Sequence, residues 1–136
     1  MTPFPMMLCL DGRRVVICAT GPEAARLARQ LLPGGARIVI LGPAPEPGLE
    51  DAVADGRVRH QPRLRPDTFE GAALALIATG MPETDAALVR AAQAAGALVH
   101  VADPALADDA GRAAMVLQFP PARPVPAKGP RPAAGP

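Results

Sequence analysis

An apolar run that stops at a Gly-Pro turn, Val15-Val16-Ile17-Cys18-Ala19-Thr20-Gly21-Pro22-Glu23-Ala24-Ala25, narrows the choice of fold more than any other stretch of this 136-residue chain. Val15 to Cys18 is short, β-branched and apolar without alternation, the pattern of a strand buried on both faces of a parallel sheet. Pro22 suits the first position of a helix, because its ring fixes φ near the helical value and its missing N–H has no partner to lose there. Gly21 is then the cap, free to adopt the φ that a tight turn demands. Strand, glycine turn and helix start together aim unpaired N–H groups and the positive end of a helix dipole at one point, which is an anion site.

The spacing fits the dinucleotide fingerprint G-x-G-x-x-A with Ala19 in the first glycine slot, Gly21 in the second and Ala24 in the third. It is a weakened version. Alanine has less conformational range than glycine, and Pro22 removes an N–H that could face a phosphate. An ordinary strand-to-helix turn accounts for the same residues. An acid that would hold an adenosine ribose is expected about 20 residues on, but that place is Gly42, with Glu46 the nearest acid downstream. Whether a cofactor here would carry a 2′-phosphate is therefore not written in a side chain.

Around this unit the chain alternates. Ala24, Leu27, Ala28 and Leu31 form a helical stripe from Pro22 to about Leu32, stopped by Pro33-Gly34-Gly35, with Arg26 and Arg29 outside. Ala36 to Leu41 reads as a second strand. Leu49, Ala52 and Val53 suggest a short helix before Asp55-Gly56, and Val58 to His60 a third strand. Pro66 to Phe69 is a turn with Phe69 inward. Ala72 to Ala78 is a central strand, Thr84 to about Ala95 a helix with Ala87, Leu88, Ala91 and Ala95 inside, and Leu98 to Val101 a fifth strand. Met115 to Phe119 offers a last edge strand. This alternation predicts an α/β fold, a Rossmann-like doubly wound parallel sheet, in which ligands collect at the carboxyl ends of the strands. Ala19 to Gly21, Gly42, Thr79-Gly80 and Asp103 all fall on that edge.

The expected organisation is a single domain over residues 1–119, followed by a Pro/Ala-rich disordered tail over 120–136 that has too little apolar surface to offset its ordering entropy. A formal charge of +1, three Phe and no Trp or Tyr argue against nucleic acid as a partner. No apolar run approaches the roughly 20 residues of a membrane span. The N-terminal segment has no basic region ahead of its apolar residues, so the expected location is cytoplasmic, with Cys9 and Cys18 as reduced thiols. Neither the cysteines nor the two histidines have metal-ligand spacing, and no metal site is expected. Arg57, Arg59, His60, Arg63 and Arg65 make the one local basic run. It reads as a solvated edge or as a surface that pairs with the carboxylates of a small molecule.

In order and spacing, residues 3 to 121 resemble the precorrin-2 dehydrogenase domain found at the N-terminus of siroheme synthases. The resemblance runs through Phe4-Pro5-Met6-Met7-Leu8-Cys9-Leu10-Asp11-Gly12-Arg13, the Ala19 to Ala24 turn, Ile77-Ala78-Thr79, His100-Val101-Ala102-Asp103 with Pro104-Ala105-Leu106, and Leu117-Gln118-Phe119-Pro120. It implies oxidation of precorrin-2 to sirohydrochlorin, a tetrapyrrole step toward siroheme, with NAD as hydride acceptor. By the same resemblance Asp103 is catalytic; taken alone, it reads as a cap before Pro104. Ala19, Thr20, Gly21, Pro22, Glu23, Ala24, Gly42, Thr79 and Gly80 would hold the cofactor. His100, Arg63 and Arg65 would meet the substrate. The chain departs from the family at Ala19, Pro22, Gly80 and His100, and a Pro-rich segment stands where relatives have a helical part that dimerises and covers substrate. A homodimer, or a partner protein supplying that part, is the corresponding expectation. The alternative is a degenerate, non-catalytic nucleotide- or tetrapyrrole-binding accessory module.

Overall fold

The structure, a computed structural model, describes residues 6–19, 21–42, 47–101 and 117. Five strands make one parallel sheet: β1 (Arg14–Ala19), β2 (Arg37–Leu41), β3 (Val58–Gln61), β4 (Ala72–Ala78) and β5 (Leu98–Val101), in the order β3-β2-β1-β4-β5. The helices are α1 (Pro22–Leu31), α2 (Glu50–Ala54) and α3 (Pro82–Ala94), with a 3₁₀ turn at Leu32–Gly34. The doubly wound arrangement expected from the alternation is present. β1 is the middle strand, and from it the chain winds first through β2 to β3, then across to β4 and β5.

Successive side chains of a strand point to opposite faces, and each face builds its own core. Val15 and Ile17 join Ile38, Ile40, Leu74 and Leu76 beneath α1 and α2, which contribute Ala24, Leu27, Ala28 and Ala52. Val16 and Cys18 join Val39, Ala75, Ile77 and Val99 on the other face, closed by Leu88 and Ala92 of α3 and by Phe69. The β1–β4 register shifts between Arg14 and Val15, where Arg14 pairs with Ala72 and Val15 with Leu74. The skipped Ala73 is a bulge, and it is why Ala72 packs on the opposite face from Leu74.

Several boundaries differ from the sequence expectations for identifiable reasons. α3 starts at Pro82 rather than Thr84, since Met81 is extended and Pro82 takes the first helical position. Its inner face is Leu88 and Ala92, with Val89 and Ala91 partly buried, whereas Ala87 and Ala95 are exposed. A helix this rich in alanine carries several equivalent small-residue stripes, and only the leucine discriminates among them. β1 extends to Ala19 because β4 pairs with it to Ala78. Val53 is exposed, while Leu49 and Ala52 anchor α2. Phe69 is buried as expected. Beside it the wholly buried Thr68 ties the β3–β4 connection together: its hydroxyl donates to Gln61 Oε1 (2.6 Å) and accepts from the Arg65 N–H (2.8 Å), and its carbonyl accepts from Arg14 (2.8 Å). The expected strand at 115–119 and the tail at 120–136 lie outside the described residues apart from Leu117, which packs on the α1 side of the sheet.

Candidate nucleotide site

The strand order reverses direction between β1 and β4, and their last residues, Ala19 and Ala78, stand side by side in register. Ligands of open α/β sheets bind at such a point. Gly21 caps α1 with φ 64° and ψ −148°, a conformation that L side chains rarely adopt, and Pro22 occupies the first helical position. Among the described residues no side chain caps this helix end, and the N–H groups of its first turn face the carboxyl edge, minus the one that proline lacks.

Glu23 sits in the same turn, where its charge would oppose an incoming anion. It is held aside by a bidentate pair with Arg26, Oε1 to Nε and Oε2 to the guanidinium terminus, both 2.7 Å. The Arg26 hydrogen bonds hold the Glu23 carboxyl below the usual carboxylate range, and the charges of Arg26 and His100 act in the same direction. His100 therefore reaches the α1 side of the edge from β5, where it pairs with Leu76.

At the end of β2, Gly42 donates its N–H to the Gln61 carbonyl (3.0 Å). A Cβ at this residue would lie 3.4 Å from the Ala19 carbonyl oxygen, so glycine lets the two strand ends close together. After β4, Thr79 turns back onto α3. Its N–H and its hydroxyl both donate to Asp85 Oδ1, at 3.1 and 2.5 Å, and the hydroxyl accepts the Met81 N–H at 3.2 Å. Gly80 follows with φ 79°. Thr79 thus shapes the loop with both of its donors already engaged. Asp85 is the residue that sequence reasoning missed; a carboxylate in the first turn of α3, six residues after the strand-end threonine, was the available signal.

Between these loops opens a cavity of about 580 Å³, bounded by Gly42 and Leu41 on one side, Thr79, Met81 and Leu88 on the other, and Cys18 at its floor. Leu64 and Met81, both half-exposed, give it an apolar rim. Burial, with the Asp85 charge adding to it, pushes the Cys18 thiol up to about 12, so Cys18 lines the cavity as an apolar group rather than a nucleophile.

The expected site residues are brought together unevenly. Ala19, Gly21, Pro22, Glu23, Ala24, Gly42, Thr79, Gly80 and His100 share the carboxyl edge. Arg63 and Arg65 are exposed in the connection from β3 to β4, on either side of Leu64, which lines the cavity. The basic run is not one surface: β3 divides it, leaving Arg57 and Arg59 at the amino edge. Thr20 and Asp103 lie outside the described residues. Among those described, no three His, Cys, Asp or Glu groups stand close enough to hold a metal, and no helix is long and apolar enough to cross a membrane.

Residues 6–110 match the family model described as "Putative NAD(P)-binding". Curated relatives include siroheme synthase of Chromobacterium violaceum, 37% identical over 103 residues that cover 75% of this chain and 22% of the relative. Siroheme synthase 2 of Aeromonas salmonicida is 36% identical over 104 residues, covering 76% and 21%. The chain thus spans about a fifth of the length of these relatives. Among solved structures, SirC, a precorrin-2 dehydrogenase, superposes with a TM-score of 0.56 at 22% identity, over 65% of this chain and 44% of that one, a likeness of fold.

Proposed function

The chain belongs to the NAD(P)-binding family matched over residues 6–110, and from that premise we propose that it acts in siroheme formation as an NAD-dependent dehydrogenase of the precorrin-2 type. The observation that carries this reading is the β1–α1 turn at the β1–β4 switch point: a positive-φ glycine, a helix start with no side-chain cap, and a carboxylate clamped out of the way. These residues fit a dinucleotide. The first-turn N–H groups of α1 would receive its pyrophosphate, and Gly42 would leave room for the adenosine half beside Ala19. Bound there, NAD would supply a hydride acceptor.

The chain's own part is to position substrate and move a proton. Asp103 would act as the general base that takes up the proton released when the substrate is oxidised. His100, on the α1 side of β5, would relay that proton through its imidazole nitrogens. Arg63 and Arg65 would pair with carboxylates of a tetrapyrrole at the β3 end. In this reading residues 1–119 are the binding domain, and a second copy or a partner protein completes the cover over the substrate.

Turnover of precorrin-2 with NAD, followed as reduced cofactor, tests the proposal. The wild-type chain is expected to turn over, and Asp103→Asn is expected to lose turnover while keeping NAD affinity. Pro22, which removes one phosphate-facing donor, favours the second reading, a non-catalytic nucleotide- or tetrapyrrole-binding module. That reading predicts binding without turnover in both proteins.

A further inference from the structure

A second concave site lies at the opposite end of the sheet. All amino ends of a parallel sheet share one edge, and here that edge collects Arg13 and Arg14 at β1, Arg37 at β2, and Arg57 and Arg59 at β3, around a cavity of about 490 Å³. The turn glycines Gly12, Gly56 and Gly71, all with positive φ, form its walls without side chains.

The arginines are aligned rather than scattered. Arg14 and Arg37 are register partners on adjacent strands, and Arg59 pairs with Val39, two residues beyond Arg37. Strand alternation sets Arg14 with Val16, Arg37 with Val39 and Arg59 with Gln61 on the face opposite α1 and α2. On that face α3 packs over β4 and β5, so among the described residues no helix covers the β2–β3 half. Like charges on neighbouring strands repel one another. No acidic side chain lines the cavity, although Asp11, Asp55 and Glu70 adjoin its wall glycines Gly12, Gly56 and Gly71, and Asp55 pairs with Arg57 Nε at 2.9 Å. Arg14 donates to the Thr68 carbonyl, and among the described residues its buried Nε has no hydrogen-bond partner. In a chain of formal charge +1, five arginines thus line one pocket, and three of them, Arg14, Arg37 and Arg59, share a face of the sheet.

We propose that this amino-edge pocket binds a compact oxyanion carrying two or more phosphate or carboxylate groups, separately from the nucleotide site. Guanidinium forks match both groups bidentately. The pocket's size suits a small molecule, and a chain with three Phe and no Trp or Tyr has little with which to stack bases. The length of β1, about 20 Å, separates this pocket from the carboxyl edge, so the two sites fill independently.

Calorimetric titration of the full chain with pyrophosphate, tripolyphosphate and citrate, in about 50 mM salt to limit screening, tests the proposal. Arg37 and Arg59 are exposed, so the Arg37→Gln/Arg59→Gln protein is expected to fold, which its melting transition checks. The expected result is saturable binding of at least one anion, weakened about tenfold or more in the double variant, with the NAD titration unchanged. The phosphate and citrate arms identify the preferred group. Absence of saturable binding by all three, equal affinity in the variant, or competition by NAD would each overturn it.

Discussion

Asp85 accepts two hydrogen bonds from Thr79, one from its backbone N–H and one from its hydroxyl, and so fastens the end of the central strand β4 to the first turn of α3. The loop they close, with Met81 bonded back to the threonine hydroxyl, forms one wall of the candidate nucleotide cavity. Asp85→Ala leaves both donors without that acceptor. It is expected to cost about 1–3 kcal/mol of stability in urea denaturation and to weaken nucleotide binding through the displaced loop. Asp85→Asn, which keeps an acceptor oxygen, is expected to recover part of both.

Arg26→Ala releases the Glu23 carboxylate at the start of α1 without touching the helix backbone. Nucleotide affinity is expected to fall by about twofold to fivefold, the size of a helix-terminus charge effect, and Glu23→Gln in the same protein is expected to restore it. Stability changes little, because the pair is nearly half exposed and such pairs contribute at most about 1 kcal/mol. Its pH dependence has a definite sign. The folded carboxyl titrates below the unfolded value of 4.5, so the contribution is present above that pH and is lost as pH falls through the lower folded value. Melting curves of wild type and Arg26→Ala should therefore converge on acidification below pH 4.5.

Two glycines separate conformational strain from collision. Gly21, at φ 64° and ψ −148°, has open space where a Cβ would stand but lies in a backbone region kept almost wholly to glycine, so Gly21→Ala is expected to cost backbone strain alone, about 1–3 kcal/mol. Gly35, at φ 80° and ψ 15°, is left-handed helical, and there a Cβ adds a clash with the Asp11 carboxylate to the strain. Asp11→Ala in the Gly35→Ala background should recover the part of the fall in melting temperature due to the clash.

Cys18 and Cys9 are expected to differ in reactivity. Cys9 is exposed and Cys18 is buried, its thiol pushed up to about 12. Titration with a thiol reagent at mildly alkaline pH should label one cysteine of the native chain quickly and the second only on unfolding. Saturating nucleotide should leave the first unchanged.

The continuous apolar runs at β1 and β4 announce themselves in the sequence because strands buried on both faces have no alternation to obscure them. The Gly21-Pro22 turn is equally legible, since each residue has a backbone reason to be there. Alanine-rich α3 is not: its inner face depends on where a single leucine packs. The Arg57 to Arg65 run reads as one patch until β3 is seen to carry its two halves to opposite edges. Arg14 and Arg37, 23 positions apart, become neighbours only through the β1–β2 register. Thr68 gives no sequence signal of burial, because its polar groups are satisfied by Gln61, Arg65 and Arg14 from separate segments. Asp103, the residue that the resemblance makes catalytic, lies beyond the last described residue of β5.

Calorimetric titration of the purified chain with NAD, and with NADP alongside, bears most directly on the central claim. Saturable binding of NAD, with affinity reduced in Arg26→Ala, is the predicted result and ties the cofactor to the β1–α1 turn. Binding of neither nucleotide at concentrations of about 1 mM, weak for a cofactor site, would contradict it and leave the turn as a connection between strand and helix.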